Sequence, residues 1–267
     1  MIHLNIILLR GLISWGGFFL FLVLELINPY RKPSIPKTKR IMTNVSLTIL
    51  NSALISLLFS ALIFSTASYV TDNKAGLLNM SNMLLMPHWL KITIAVIFMD
   101  FMLYIWHLLN HEMPLFWRFH RVHHSDLNMD VSTATRFHIG ELSISAVIKI
   151  GLIFFIGADI VSVIIFESLL VLSAQFHHSS LKVPEWLENI FWPLFVPPSM
   201  HRVHHSVVIK ERDTNYGTIL SIWDRMFGTL LKKVDQDKII IGMGAYREAD
   251  KLKLHNLLLM PFTRAVK

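Results

Sequence analysis

Residues 42–70 run for twenty-nine positions without one charged side chain, rich in Leu, Ile and Ser. A bilayer's hydrocarbon core is crossed by about 20 such residues. With no water to satisfy free backbone groups, an apolar run of this length closes its hydrogen bonds within itself, as a helix. The composition agrees: 53% of the 267 residues are hydrophobic and 16% charged, against about 45–50% and 25% in soluble domains. The sequence therefore predicts an all-α integral membrane protein with about four transmembrane helices or helix pairs.

The other apolar segments fall around this one. Residues 11–27, GLISWGGFFLFLVLELI, form a first span, lengthened by the residues before it and interrupted by Arg10, which can snorkel towards headgroups. No basic n-region or cleavage site precedes it, so it reads as a retained span rather than a signal peptide. The loop RKPSIPKTKR at 31–40 carries five basic residues and no acid, which places it in the cytoplasm. The +7 formal charge suits anionic headgroups, and nothing suggests nucleic acid. Residues 71–89 are nearly neutral, as expected on the outer side, and 90–111 return to the cytoplasmic face. Residues 142–176 would span about 52 Å as one straight helix, so a hairpin turning at Gly157-Ala158-Asp159 is expected. Glu185 to Val196 reads as an interfacial helix ended by Pro197-Pro198. Gly242-Met243-Gly244 is read as a turn. The tail from 207 is expected to cap the region beneath the histidines.

Those histidines are the chain's second constraint. HLLNHEMPLFWRFHRVHH at 107–124 holds five, and HRVHH returns at 201–205. His107 and His111 are four apart; His120, His123, His124 and His201, His204, His205 each have i, i+3, i+4 spacing, which stacks imidazoles on one helix face. Pro114 breaks the helix between the first two arrays. The hairpin brings the third array to the same side as the others, giving a cytoplasmic histidine-rich catalytic cap. Asp100, Tyr104, His107 and His111 share a face, and a carboxylate inside a membrane helix points to function; Asp100 is expected to orient an imidazole.

The chain has no cysteine, so thiolate zinc sites and Fe–S clusters are excluded and His and carboxylate remain as ligands. Eight imidazoles are too many for one catalytic zinc and enough for two metals. Two metals beside an apolar wall at a membrane edge point to iron and oxygen chemistry on a lipid C–H bond, with zinc as the substitute that such nitrogen sites also bind.

HLLNH, HRVHH and HRVHH together resemble the eight-histidine signature of the membrane fatty acid hydroxylase/sterol desaturase superfamily. The likeness runs from about Asp100 to Leu230 and takes in Thr135-Arg136-Phe137-His138 with Glu141, FHHSS after the hairpin, and NYG…WDRMFGT at 215–229. It implies a lipid monooxygenase/desaturase of the sterol desaturase type, with two iron ions and O2 as co-substrate. It implies His107, His111, His120, His123, His124, His201, His204 and His205 as metal ligands, and adds His138 and His178, with His177 adjacent to the latter. No catalytic residue separate from the metal centre is implied. His111-Glu112 resembles the alkylglycerol monooxygenase branch, where an acid follows that histidine. The chain departs from the pattern at Leu108, at Ile139 in RFHI, and at Ser180.

Glu112, Glu141 and Asp224 join Asp100 as residues expected behind the ligands. Arg136 is expected to pair with Glu141, and Arg118 and Arg121 with headgroups or with Asp126, Asp130 and Glu141. No haem or flavin motif is present, so electrons are expected from a ferredoxin- or cytochrome-b5-like protein with its reductase. The expected division is 1–94 for the first membrane helices, 95–232 for the catalytic domain and 233–267 for a cytoplasmic tail. The alternative is a non-catalytic metal-binding or metal-transport membrane protein, which would place ionisable residues along several helices at mid-membrane.

Overall fold

A computed structural model describes residues 2–80, 83, 85–264 and 266, with side chains from Leu8 onward. The chain is all-helical; among the described residues extended pairing is limited to isolated bridges. The long elements are α1 (Ile2–Ile27), α2 (Lys37–Ile55), α3 (Ala61–Asp72), α4 (His88–Glu112), α6 (Ile139–Ile156) and α7 (Ile160–His178), with α5 (Pro114–His124) between α4 and α6. A five-residue π turn, Ser56–Ser60, joins α2 to α3. Shorter pieces follow: α8 (Glu185–Phe191), α9 (Pro198–His204), α10 (Ile209–Arg212), α11 (Ile222–Met226) and α12 (Leu254–Leu259).

Among the described residues, five stretches are long and apolar enough to cross a membrane: Leu8–Ile27, Lys37–Asn79, His88–Glu112, Ile139–Ile156 and Ile160–His178. They show Leu12, Phe19, Leu57, Leu62, Phe154 and Val161 outward, the surface that lipid covers. Inward, Ile63, Ala67, Ala95, Met99, Ile153 and Phe166 make one apolar cluster that binds α3, α4, α6 and α7 together.

The uncharged run of α2 and α3 is longer than a bilayer needs, and its first turns have another task. Arg40, Asn44 and Asn51 are buried on one face of α2 at spacings of four and seven, the repeat of a helix face. Arg40 ion-pairs with Asp126 at 2.7 Å and Asp130 at 2.8 Å. Asn44 donates to Asp126 and Ser132, and Asn51 to the Phe137 carbonyl. One member of the basic loop is therefore a buried clamp on the segment that follows the first HRVHH.

The hairpin turns where expected. Gly157 ends α6 at φ +82°, a left-handed conformation that glycine adopts without strain. A side chain there is also blocked: a Cβ on Gly157 would lie 2.8 Å from the Ala75 carbonyl oxygen, and one on the facing Gly76 2.4 Å from the Gly157 Cα. The tip thus packs backbone to backbone against the loop after α3, so α6 and α7 run as deep as α3 and α4. At the opposite end the Tyr30 amide donates to the Ser180 carbonyl at 2.7 Å, which gathers the basic loop and the histidines at one end of the bundle.

Asp159 caps α7 by accepting from the Ser162 amide at 2.8 Å, and it meets the His88 ring at 2.6 Å. Burial opposes its charge, but the bonds from Ser162 and His88 outweigh burial, so its carboxyl sits below the usual aspartate range. Its stabilisation is complete above the ordinary aspartate value of about 3.9 and fades as pH falls through the lower folded value. Asp159→Ala should cost about 1 kcal/mol, seen as a lower melting temperature in detergent. The gap to the unchanged protein should begin to narrow below a pH of about 4 and go on closing as pH falls through the lower folded value.

The predicted interfacial helix is shorter than expected, ending at Phe191 rather than Val196. Pro193 has no N–H to continue the helical ladder, and the chain closes instead in a turn in which the Leu194 and Phe195 amides donate to the Phe191 carbonyl. The tail does fold against the histidine region: Arg121, fully buried, donates to the carbonyls of Met260, Thr263 and Arg264.

Candidate metal centre

The break at Pro114 turns α5 back along α4. The unbroken first turns of α9 follow Pro197-Pro198, proline at a position where a helix has no use for the missing N–H. These two helices and the last turns of α4 and α7 bring nine imidazoles together, in two groups. His107, His111, His120, His124 and His204 offer ligand atoms within 4.8 Å of one another, and so do His123, His178, His201 and His205.

The groups do not follow the order of the motifs. The first HRVHH sends its i and i+4 histidines, His120 and His124, to one group and its i+3 histidine, His123, to the other. The second does the reverse: His201 and His205 stay together and His204 crosses. Each motif thus supplies a pair to one group and a single ring to its neighbour. The His124 and His205 rings stack at 4.4 Å where the groups meet.

The ring nitrogens on the far side are held. His107 Nδ1 donates to the Tyr216 carbonyl and His204 Nδ1 to the Thr214 carbonyl, both at 2.7 Å. His120 Nδ1 donates to Glu141 at 2.9 Å and His111 Nδ1 to Asp213 at 3.2 Å. A neutral imidazole with its proton on Nδ1 keeps a lone pair on Nε2. All four of those Nε2 atoms are buried and without a hydrogen-bond partner among the described residues.

In the second group His178 Nδ1 donates to the Ala174 carbonyl at 2.7 Å. Its Nε2 lone pair then faces His123, His201 and His205 Nε2 at 3.1, 2.9 and 3.2 Å. Nitrogens at right angles about 2.1 Å from a shared cation lie about 3.0 Å apart. Burial, and after it the crowding of imidazoles, holds His123, His124, His201, His204 and His205 well below the usual histidine range. Neutral rings with inward lone pairs are the form that binds metal. The residues present therefore fit two histidine-ligated cations.

Of the ten predicted ligands, nine lie in these groups and His138 does not. His138 accepts from the Gly140 amide at Nδ1 and meets the Leu258 carbonyl at Nε2; it caps α6, and both nitrogens are occupied. Between the adjacent histidines, His178 enters the group, while His177 packs its ring 4.0 Å from His201.

Of the four acids expected behind the ligands, only Glu141 touches one. Asp100 accepts from the Ile219 and Leu220 amides and from Trp223 Nε1, so it anchors the 219–223 segment rather than an imidazole. Asp224 accepts from the Tyr216 and Gly217 amides and Thr229. It shapes the loop whose Tyr216 carbonyl receives His107. Glu112 is exposed and bonds no imidazole among the described residues. Asp213, unflagged by any spacing, takes the place expected of it. Asn215 sits at φ +58°, a region that asparagine tolerates better than most residues, and ties this loop to the Met200 and Leu231 carbonyls.

The arginines also differ from expectation. Arg136 bonds the Val122 carbonyl, Asn44 and Ser125, not Glu141, whose Oε1 is taken by His120. Arg118 and Arg121 reach carbonyls of the 260–264 segment, and Asp126 and Asp130 belong to Arg40.

Beside the groups lies a cavity of about 280 Å³ lined by His107, His123, His178 and His201 on one side and by Leu103, Phe137, Leu142 and Leu170 among its apolar walls. Glu141→Gln keeps the shape but weakens the bond that fixes the His120 ring. It should lower metal affinity about 10–100-fold, measured by chelator competition, whereas Glu112→Gln should leave affinity unchanged.

The fatty acid hydroxylase family matches residues 92–229. The chain is 31% identical over 147 residues to an ornithine lipid hydroxylase of Rhizobium tropici, covering 54% of this chain and 42% of that protein. It is 29% identical over 209 residues to alkylglycerol monooxygenase of Homo sapiens, covering 76% and 42%. To alkylglycerol monooxygenase of Danio rerio it is 36% identical over 152 residues, covering 56% and 32%. The chain thus spans less than half the length of these curated relatives. No solved structure matches it.

Proposed function

This chain belongs to the fatty acid hydroxylase family, and from that premise we propose that it is a membrane-bound, O2-dependent di-iron enzyme that hydroxylates a lipid. The observation that carries the reading is the pair of inward-facing imidazole groups opening on an apolar cavity. His107, His111, His120, His124 and His204 would hold one iron, and His123, His178, His201 and His205 the other. Iron bound there would supply reductive activation of O2.

The chain's own residues do the rest. Carbonyls of Ala174, Thr214 and Tyr216, with Glu141 and Asp213, orient the rings. Leu103, Phe137, Leu142 and Leu170 receive an alkyl chain and keep water from it. In the balance, one oxygen atom of O2 enters a C–H bond to give an alcohol. The other leaves as water with two electrons and two protons. The electrons come from a separate ferredoxin- or cytochrome-b5-like carrier. Hydroxylation is favoured over desaturation because the relatives' names are those of hydroxylases and monooxygenases.

In this reading residues 95–232 would form the catalytic domain, after the first membrane helices of 1–94 and before a tail from 233. The basic loop at the histidine end of the bundle supports a cytoplasmic site. Lipid mass spectrometry of cells with and without the gene, grown under ¹⁸O2, tests the function. A gene-dependent lipid carrying one ¹⁸O is expected; loss of two hydrogens without label would mean desaturation and refute hydroxylation.

A further inference from the structure

A second cavity, of about 360 Å³, lies between α1, α2, α6 and α7. It shares Thr135, Phe137, Leu142, Ser145, Val171 and Gln175 with the cavity against the histidines, so the two have a common wall. Its lining includes three charged groups inside the membrane-crossing helices. Glu167 on α7 meets Arg10 of α1 at 2.5 Å and Lys149 of α6 at 2.8 Å.

Charge within a spanning segment is costly and is normally balanced. Here two cations share one carboxylate. One cation would neutralise Glu167; the second, on another helix, leaves an excess of one positive charge. Arginine offers five N–H donors and lysine three, and the ion pair with Glu167 engages only part of either set. The Glu167 side chain is 7% exposed, while Arg10 is 33% and Lys149 22% exposed, so the cations are the more accessible members of the cluster. Along α6, Lys149 lies eight residues from Glu141, the partner of His120, a rise of about 12 Å.

We infer that the second cavity is an acidic-lipid subsite, in which Arg10 and Lys149 hold an anionic headgroup while its alkyl chain passes the shared wall to the histidines. The inference rests on the oxygenase reading for what happens to that chain, and not for the binding itself. Headgroup and oxidised carbon are then set apart by about 12 Å, so oxidation falls along the chain rather than beside the head. The preferred substrate is an acidic amphiphile, a carboxylate or phosphate on a long alkyl chain, over a neutral alcohol of equal length.

Binding without turnover tests this. Radiolabelled hexadecanoate, hexadecyl phosphate and 1-hexadecanol are equilibrated with the full chain in phosphatidylcholine nanodiscs, with protein-free discs subtracted. At least one acid should be retained about tenfold better than the alcohol, and comparison of the two acids separates carboxylate from phosphate. Lys149→Met should bring the acid-to-alcohol ratio to near one without changing alcohol binding, and Lys149→Arg should restore it. Arg10→Gln, on a different helix, should act in the same direction as Lys149→Met. Equal retention of acids and alcohol by the unchanged protein overturns the subsite, whatever ¹⁸O2 labelling shows. So does a ratio that survives in both neutral variants. A preserved preference without labelled product counts against the oxygenase reading and leaves the subsite standing.

Discussion

His204→Ala and His123→Ala should each abolish labelled product, lowering turnover by at least about 100-fold, the upper figure for losing a mere supporting partner of a ligand. The two variants should differ in which group they damage. His204 lies on α9 but faces His107, His111, His120 and His124; His123 lies on α5 but faces His178, His201 and His205. Metal removed by His204→Ala should therefore come from the group built mainly on α4 and α5, and metal removed by His123→Ala from the group built mainly on α7 and α9. Iron spectroscopy of the two variants should show complementary residual centres. His138→Ala, outside both groups, should keep its metal and lose only the cap of α6. Full turnover in either of the first two variants would sink the assignment.

Arg40→Met should be the most destabilising single change outside the histidines. It strips the partner from Asp126 and Asp130, which are 1% and 2% exposed. Removing one member of a buried ion pair costs about 3–5 kcal/mol, because the remaining charge is left uncompensated. The melting temperature in detergent should fall by on the order of 10 °C. Arg40→Lys should recover only part of this, since Arg40 grips Asp126 through both Nε and Nη2 and an ammonium cannot make that two-point contact. Asp126 follows His124 by two residues, so metal content should fall with stability. A melting temperature within about 2 °C of the unchanged protein would show that the clamp holds nothing.

What the sequence made legible was local. Histidine spacing marked the arrays because helical period puts i, i+3 and i+4 on one face. The length of 142–176, too long for one straight span, marked a hairpin at Gly157-Ala158-Asp159, where Gly157 supplies a left-handed stop and Asp159 the cap of α7. Partners far apart in the chain were not legible. Arg40 and Asp126 are 86 positions apart; nothing local separates that arginine from its basic neighbours, and the positive-inside rule absorbed it. The exchange of His123 and His204 between groups depends on how α5 and α9 face each other, which periodicity does not report. Asp100 and Asp224 were expected directly behind the ligands, but each satisfies backbone amides of one loop and touches no imidazole. Asp213 carried no signal, since an acid in a polar KERDTN stretch reads as solvent-facing.

Anaerobic titration of the metal-free full chain with Fe(II) decides whether the two histidine groups each hold a metal ion. Two equivalents bound per chain are expected, falling to one tight equivalent in His178→Ala, whose group then keeps three imidazoles. Saturation of the unchanged protein at one equivalent, or at none, would contradict two histidine-held sites.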